Sequence, residues 1–225
     1  MAARKSTKAA KRTASDPKQA VLNAALPLIP SEGFSEAMLK HAAADAGVSP
    51  AEVPRLFPHG PQSLVEAFSD WVDDEMERTL RKAKLPDMKI RARIKAAVSD
   101  RIAALRPHKE AARRAAAFLT LPPNAALAAK LLYRTVDRMW RAAGDTSTDF
   151  NFYTKRAILA GVYSSTMLRW FTDDSEDEKA TFEFLDARIE NVMQFEKFKA
   201  ETLSKLPSMS EILDRFGGRT SASPR

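Results

Sequence analysis

The stretch Phe34-Ser35-Glu36-Ala37-Met38-Leu39-Lys40-His41-Ala42-Ala43-Ala44-Asp45-Ala46-Gly47-Val48-Ser49-Pro50-Ala51-Glu52-Val53-Pro54-Arg55-Leu56-Phe57-Pro58-His59-Gly60 reads as a helix, a tight turn and a shorter second helix. Ser35 is a helix cap ahead of Met38, Leu39 and Ala42, which share one face. Gly47 supplies the stop, and small Ala46 and Gly47 let two helices cross closely. Ser49-Pro50 is a second cap followed by proline at a first helical position, with Pro58 as the end. This is the order of a helix-turn-helix, whose second helix is placed to read a DNA groove.

Outward from it, helical periodicity continues in both directions. Asp16-Pro17 opens a helix through Val21, Leu22, Ala25 and Leu28, with Pro27 bending its end. Gly60-Pro61 starts a long helix to about Ala83, carrying Leu64, Val65, Phe68, Val72, Met76 and Leu80 on one face. A helix from Pro86-Asp87 follows, with Ile90, Ile94, Val98, Ile102 and Leu105 inward. Pro107 begins the next, and Pro122-Pro123 another that stops at Gly144. A helix from about Asp149 to Phe171 comes after a polar loop. Asp173-Asp174-Ser175 then caps one through Phe182, Leu185, Ile189, Val192, Met193 and Phe195, and Pro207 sets off a short last helix. The fold class is all-α, a three-helix bundle running into a larger one.

Composition narrows the function. The 225 residues are 44% hydrophobic and 29% charged, with 7 Gly and no Cys. Absence of Cys excludes disulfides, thiolate nucleophiles and cysteine-held zinc or iron–sulfur centres. No apolar run approaches the ~20 residues of a membrane span. The net charge is +7, but Arg4, Lys5, Lys8, Lys11 and Arg12 precede the first acid, Asp16. The rest of the chain is therefore close to neutral. Residues 1–15 have no apolar core for a secretory signal. They read as a disordered basic tail, with an organelle transit peptide as the other reading.

The chemistry of DNA binding is missing from the helix-turn-helix. Phosphate neutralisation by Lys and Arg supplies most non-specific affinity, yet Glu36, Asp45 and Glu52 outnumber Lys40 and Arg55 between residues 34 and 60. Pro54 sits inside the short second helix, where it removes a donor. No nucleic-acid partner is expected.

Nor is a catalytic site legible. His41, His59 and His108 fall in three separate helical segments, and none follows an acid at the i, i+3 spacing of a helical di-iron site. No H-E-x-x-H, phosphate loop or dinucleotide glycine pattern occurs. No enzyme, metal or cofactor is expected.

Two features ask for a use. In the helix over 149–171, Ile158, Leu159, Val162, Tyr163, Met167, Leu168, Trp170 and Phe171 do not keep to one face, so it is expected to be buried nearly all round. Small Ala157, Ala160, Gly161, Ser164 and Ser165 would let another backbone approach. The centre of a bundle, a subunit interface and the wall of an apolar cavity all fit. The other feature is the loop Gly144-Asp145-Thr146-Ser147-Thr148-Asp149-Phe150-Asn151-Phe152-Tyr153-Thr154-Lys155-Arg156. Thr148 or Asp149 is placed to cap the following helix, and Asp149 or Asp145 to pair with Arg156. Asp137, Trp140, Tyr153 and Arg156 could also line one patch, aromatic anchors with a polar rim.

Together with Leu56-Phe57-Pro58 and the long helix that follows, the segment 34–60 resembles the N-terminal domain of TetR-type repressors. The run Lys130 to Trp140, the block Asp145-Thr146-Ser147-Thr148-Asp149-Phe150-Asn151-Phe152-Tyr153-Thr154-Lys155-Arg156 and the run Thr181 to Arg188 are similar to the family of the ninth coenzyme Q biosynthesis protein, in its shorter alphaproteobacterial form. The resemblance extends from about Asp16 to Lys199. It implies a TetR-like fold, a homodimer and an apolar pocket for an isoprenoid or quinone-precursor lipid. It also implies a non-catalytic role in ubiquinone synthesis, presenting lipid intermediates to a partner hydroxylase. A TetR-type transcriptional regulator with an apolar effector is the alternative.

On that resemblance Leu131, Leu132, Val136, Leu159, Val162, Tyr163 and Met167 are expected to line the lipid pocket. Asp137, Trp140, Asp149, Tyr153 and Arg156 are expected to face the partner hydroxylase. Met209, Ile212, Leu213 and Phe216 form one apolar stripe, expected to touch a membrane surface. The implied organisation is a tail over 1–15, a helix-turn-helix-like bundle over 16–60, a lipid-binding domain over 61–199, and a short amphipathic helix with a tail over 200–225. The expected location is cytoplasmic and peripheral on the inner membrane, or the mitochondrial matrix side if the tail is a transit peptide.

Overall fold

Asp16 opens the first helix, α1 (Pro17–Ala25), by accepting a hydrogen bond from the Lys18 backbone N–H at 3.1 Å. The computed structural model describes residues 16–83, 85–147 and 150–204, with side chains throughout except at 86, 150, 151 and 196–204. The chain breaks helix at Pro27 and resumes for one turn, α2 (Ile29–Glu32). Ser35 caps α3 (Glu36–Asp45), its hydroxyl accepting from the Met38 N–H at 3.1 Å. Gly47 ends that helix at φ +70°, a conformation that glycine adopts without strain.

The second helix of the helix-turn-helix is shorter than expected. It is a single turn, α4 (Val53–Leu56), entered through turns at 50–52. Pro54 explains this: continuing the helix back to Ser49 would drive its ring into the carbonyl of residue 50. Ser49 instead donates its hydroxyl to the Glu52 carboxylate at 2.8 Å.

The long helices follow their prolines. They are α5 (Pro61–Leu80), α6 (Ile90–Leu105), α7 (Lys109–Leu119), α8 (Ala125–Ala142), α9 (Phe150–Phe171) and α10 (Lys179–Ser204). Among the described residues every regular element is helical. α5 is the shared spine: it packs on α1 and α3 of the small bundle and on α6 and α8 of the large one. α9 lies between α8 and α10, and α10 also packs on α6. Leu64, Val65, Phe68, Val72, Met76 and Leu80 of α5 are all buried, as their spacing predicts.

Apolar patterning and burial part at three places. Ile90 is 46% exposed, because α6 begins there instead of at Pro86 and its first turn overhangs the core. Met193 and Phe195 on α10 are 44% and 60% exposed. α9 is not buried all round. Ala157, Gly161 and Leu168 are open, with Ser164 half-buried between them, at i, i+4, i+7 and i+11. Periodicity shows which faces are apolar and not how many are covered within one chain.

The turn from α9 to α10 is held by side chains. Asp177 and Glu178 both have positive φ, +51° and +59°, at a cost of order 1–3 kcal/mol each. Glu178 accepts from the buried Trp170 indole at 2.7 Å and from Arg106 at 2.6 Å. Asp173 caps α10 by accepting from the Thr181 N–H at 2.7 Å and from the Ser175 hydroxyl at 2.6 Å.

Candidate functional site: an apolar cavity beside a buried polar loop

The faces of α5, α6, α7, α8 and α9 that meet inside the larger bundle leave a cavity of about 330 Å³. This is at the small end of ligand-binding cavities, which run roughly 300–1,000 Å³. Its apolar wall includes Phe68 and Val72 from α5, Leu105 from α6, Leu119 from α7, Leu131 from α8 and Met167 from α9. Behind Phe68 lies Trp71, stacked on it with ring centroids 6.2 Å apart. The cavity opens where lining residues reach solvent, at Thr120 and at Leu168, which is 69% exposed.

Interleaved with these residues on the same helices is a polar cluster. Arg101 on α6 is buried and pairs through Nε with the wholly buried Asp73 at 2.7 Å. It also donates to the Tyr163 hydroxyl and to Ser69 Oγ at 3.3 Å. Thr135 Oγ1 donates to Asp73 Oδ2 at 3.0 Å. Burial raises the Tyr163 pKa, so the group is a neutral phenol. Burial works against charge on Arg101 as well, but the charge of the Asp73 carboxylate and its hydrogen bond favour the cation, and the Arg101 pKa is raised.

Of the residues expected in the pocket, Leu131, Leu132, Tyr163 and Met167 line the cavity. Val136, Leu159 and Val162 are buried but belong to the close-packed core. Val136 lies one turn past Leu132, and Leu159 one turn before Tyr163, where α8 and α9 have already closed together. The walls from α5 to α7 were not foreseen, nor were Arg101 and Asp73. A signal existed. Arg101 falls in the stripe Ile94, Val98, Leu105, and Asp73 in the stripe Ser69, Met76, Leu80, each a charge among buried neighbours.

Beside the cavity, the connection from α8 to α9 is organised by Arg156. Its side chain is 2% exposed, donating through Nε to Asp137 at 2.7 Å and through Nη1 to Asp145 at 3.2 Å and to the Phe152 carbonyl at 3.0 Å. Its guanidinium lies 3.4 Å from the Phe152 ring centroid. Lys155 adds a second cation to Asp145 at 2.7 Å. Burial would raise the Asp145 pKa, but bonds from Lys155, Ser147 and Arg156 overcome it and lower it to about 2. The Trp140 indole donates to the Lys155 carbonyl at 3.0 Å, tying the end of α8 to α9.

The structure brings Asp137, Trp140 and Arg156 together and orders them from inside outward. Arg156, expected to face the partner, is buried and bound to the two acids. Trp140 is half-buried, while Tyr153 is 65% exposed. Tyr133, 47% exposed, was missed, although it precedes Asp137 by four residues and Trp140 by seven on one helix face. Asp149, and Met209, Ile212, Leu213 and Phe216 of the terminal stripe, lie outside the described residues. Among the described residues no group of three His, Asp or Glu is placed to hold a metal ion, and no single helix is long and apolar enough to cross a membrane.

Residues 125–196, which are α8, α9 and most of α10, match the COQ9 family model. Over 199 residues the chain is 33% identical to the rat mitochondrial ubiquinone biosynthesis protein COQ9, covering 86% of this chain and 62% of that protein. It is 31% identical to the human protein of the same name, with 86% and 61% covered. The chain thus spans about three fifths of the length of these relatives. Among solved structures, a TetR transcriptional regulator from Nitrosomonas europaea ATCC 19718 superposes with a TM-score of 0.63 at 22% identity, covering 78% of this chain and 97% of that one. At that identity the likeness speaks for the fold alone, which is TetR-like.

Proposed function

We propose that this chain, a member of the COQ9 family, serves ubiquinone biosynthesis as a non-catalytic carrier. It takes an isoprenoid or quinone-precursor lipid into the cavity between α5 and α9 and presents it to a hydroxylase of the pathway. The observation that carries this reading is the cavity itself. A bundle core is normally packed without voids larger than a water molecule, and this one leaves about 330 Å³ with a mouth at Leu168. An apolar space of that size is suited to a hydrocarbon chain.

The hydroxylase would bind where α8 meets α9, with Tyr153, Trp140 and Asp137 presented on the frame built by Arg156. Asp149 adjoins that surface in sequence. A homodimer would use the outer face of α9. There Ala157 and Gly161 are small and open, and Met193 and Phe195 on α10 add exposed apolar area. The stripe Met209, Ile212, Leu213 and Phe216 would touch the membrane from which cargo is collected.

Native mass spectrometry of protein purified from cells that make ubiquinone tests the carrier reading. A bound isoprenoid or quinone-type lipid is the expected result. Protein that is lipid-free and takes up no polyprenylated precursor would overturn it.

A further inference from the structure

The polar side of the cavity is not explained by stability. Replacing a buried ion pair with packed apolar residues is often neutral or stabilising, and here the Arg101 half of the pair lines a largely apolar space. Arg101, Thr135, Tyr163 and Ser69 all line the cavity.

The cluster is rich in donors. A guanidinium carries five N–H groups. Three of those on Arg101 go to Asp73, Tyr163 and Ser69. The Tyr163 and Ser69 oxygens accept from Arg101, which leaves their own hydroxyl hydrogens to donate. The carboxylate is occupied, since Asp73 accepts from both Arg101 and Thr135. A ligand reaching this wall therefore meets donors and needs acceptor oxygens.

Charge sets the second condition. Arg101 and Asp73 neutralise each other, so the wall has no net charge to offer. A carboxylate or phosphate brought against it would be desolvated with no opposite charge left over, which is costly. A neutral carbonyl, alcohol or phenol oxygen carries no such penalty.

Resting on the carrier reading above, we propose that Arg101, Tyr163 and Ser69 form the head-group site of the cavity. The site takes an uncharged, hydrogen-bond-accepting head on an apolar tail that passes Leu131 and Met167 and leaves at Leu168. The Arg101–Asp73 pair acts there as a neutral, pre-oriented donor set.

Three ligands with one tail test this on the full chain: farnesol, farnesyl phosphate and farnesene, followed by displacement of a fluorescent lipid. Farnesol should bind about tenfold tighter than either of the others, the equivalent of one good hydrogen bond. Tyr163→Phe and Ser69→Ala keep the ion pair, and each should weaken farnesol about three- to tenfold while leaving farnesene unchanged. Two variants guard against either one failing to fold. Equal binding of all three ligands, or no loss in either folded variant, overturns the head-group site and leaves the carrier reading intact. Tightest binding of farnesyl phosphate overturns the neutral-head assignment. Failure of the parent chain to bind any of the three removes the carrier reading and the head-group site with it.

Discussion

Arg101 on α6 and Asp73 on α5 are joined across the centre of the bundle, Nε to Oδ1 at 2.7 Å, with the carboxylate wholly out of water. Removing the cation alone would strand a buried charge. Arg101→Met should therefore lose about 3–5 kcal/mol of unfolding free energy, and the double variant Arg101→Met, Asp73→Leu should recover most of it. Urea unfolding of parent, single and double variants decides the matter. A single variant as stable as the parent would mean that water reaches Asp73.

Trp140 and Tyr153 should separate stability from association. Trp140 is half-buried and its indole donates to the Lys155 carbonyl. Trp140→Ala is expected to fold, to melt several degrees lower, and to bind the partner hydroxylase more weakly. Tyr153→Ala, at a site 65% exposed, should melt like the parent and still lose affinity. Melting curves and pull-downs on both variants test this. Unchanged association by Tyr153→Ala would move the docking surface elsewhere.

Acid should loosen the α8–α9 connection. The folded pKa of Asp145 is about 2, below its ordinary value of 3.8, so its contribution is fully present above pH ~4 and lost as pH falls through 2. Asp173 is depressed as well, by hydrogen bonds from Ser175 and Thr181. The gap in melting temperature between the parent and Asp145→Asn should be wide at pH 7 and shrink between pH 4 and 2. A gap that stays constant across that range would contradict the assignment.

The outer face of α9 predicts an assembly. A side chain built at Gly161 meets nothing within 4 Å in one protomer. Gly161→Glu should thus keep the parent's circular dichroism while converting a dimer to a monomer in sedimentation velocity. Dimers persisting in that variant would place the subunit interface on another surface.

Replacing Ile212 and Leu213 with Ser should leave the melting temperature nearly unchanged and reduce flotation with anionic liposomes. Each side chain contributes roughly 1.5–3 kcal/mol on full burial. Equal flotation would remove the membrane contact. A large drop in melting temperature would show instead that this segment packs on its own domain.

The all-α fold was legible because proline, glycine and capping residues punctuate nearly every helix. Ser35, Gly47, Pro61 and Gly144 all act where the spacing placed them. The one-turn α4 was one exception, since a proline at 54 reads equally as a helix start or a helix break, and α6, which begins at Ile90 and not at Pro86, was another. Of the site, the pairing of Asp145 with Arg156 was within reach because the two are 11 residues apart across one loop. Arg101 and Asp73 are 28 residues apart on different helices, and Arg101 and Tyr163 are 62 apart. Helical periodicity carries no information about which faces meet. Only the charges sitting in apolar stripes marked those two positions.

The stack of Trp71 on Phe68 gives the protein an intrinsic optical reporter. Phe68 is part of the cavity wall and Trp71 lies directly behind it, with His108 against its edge at 5.5 Å. Of the chain's other two tryptophans, Trp140 stands at the polar loop, and Trp170, held between Glu178 and Lys109, packs on Phe171 of the cavity lining with ring centroids 5.5 Å apart. Filling the space in front of Phe68 should alter the emission of Trp71. Occupancy can therefore be followed by fluorescence without a label, once Trp140 and Trp170 are replaced by Phe to isolate the signal.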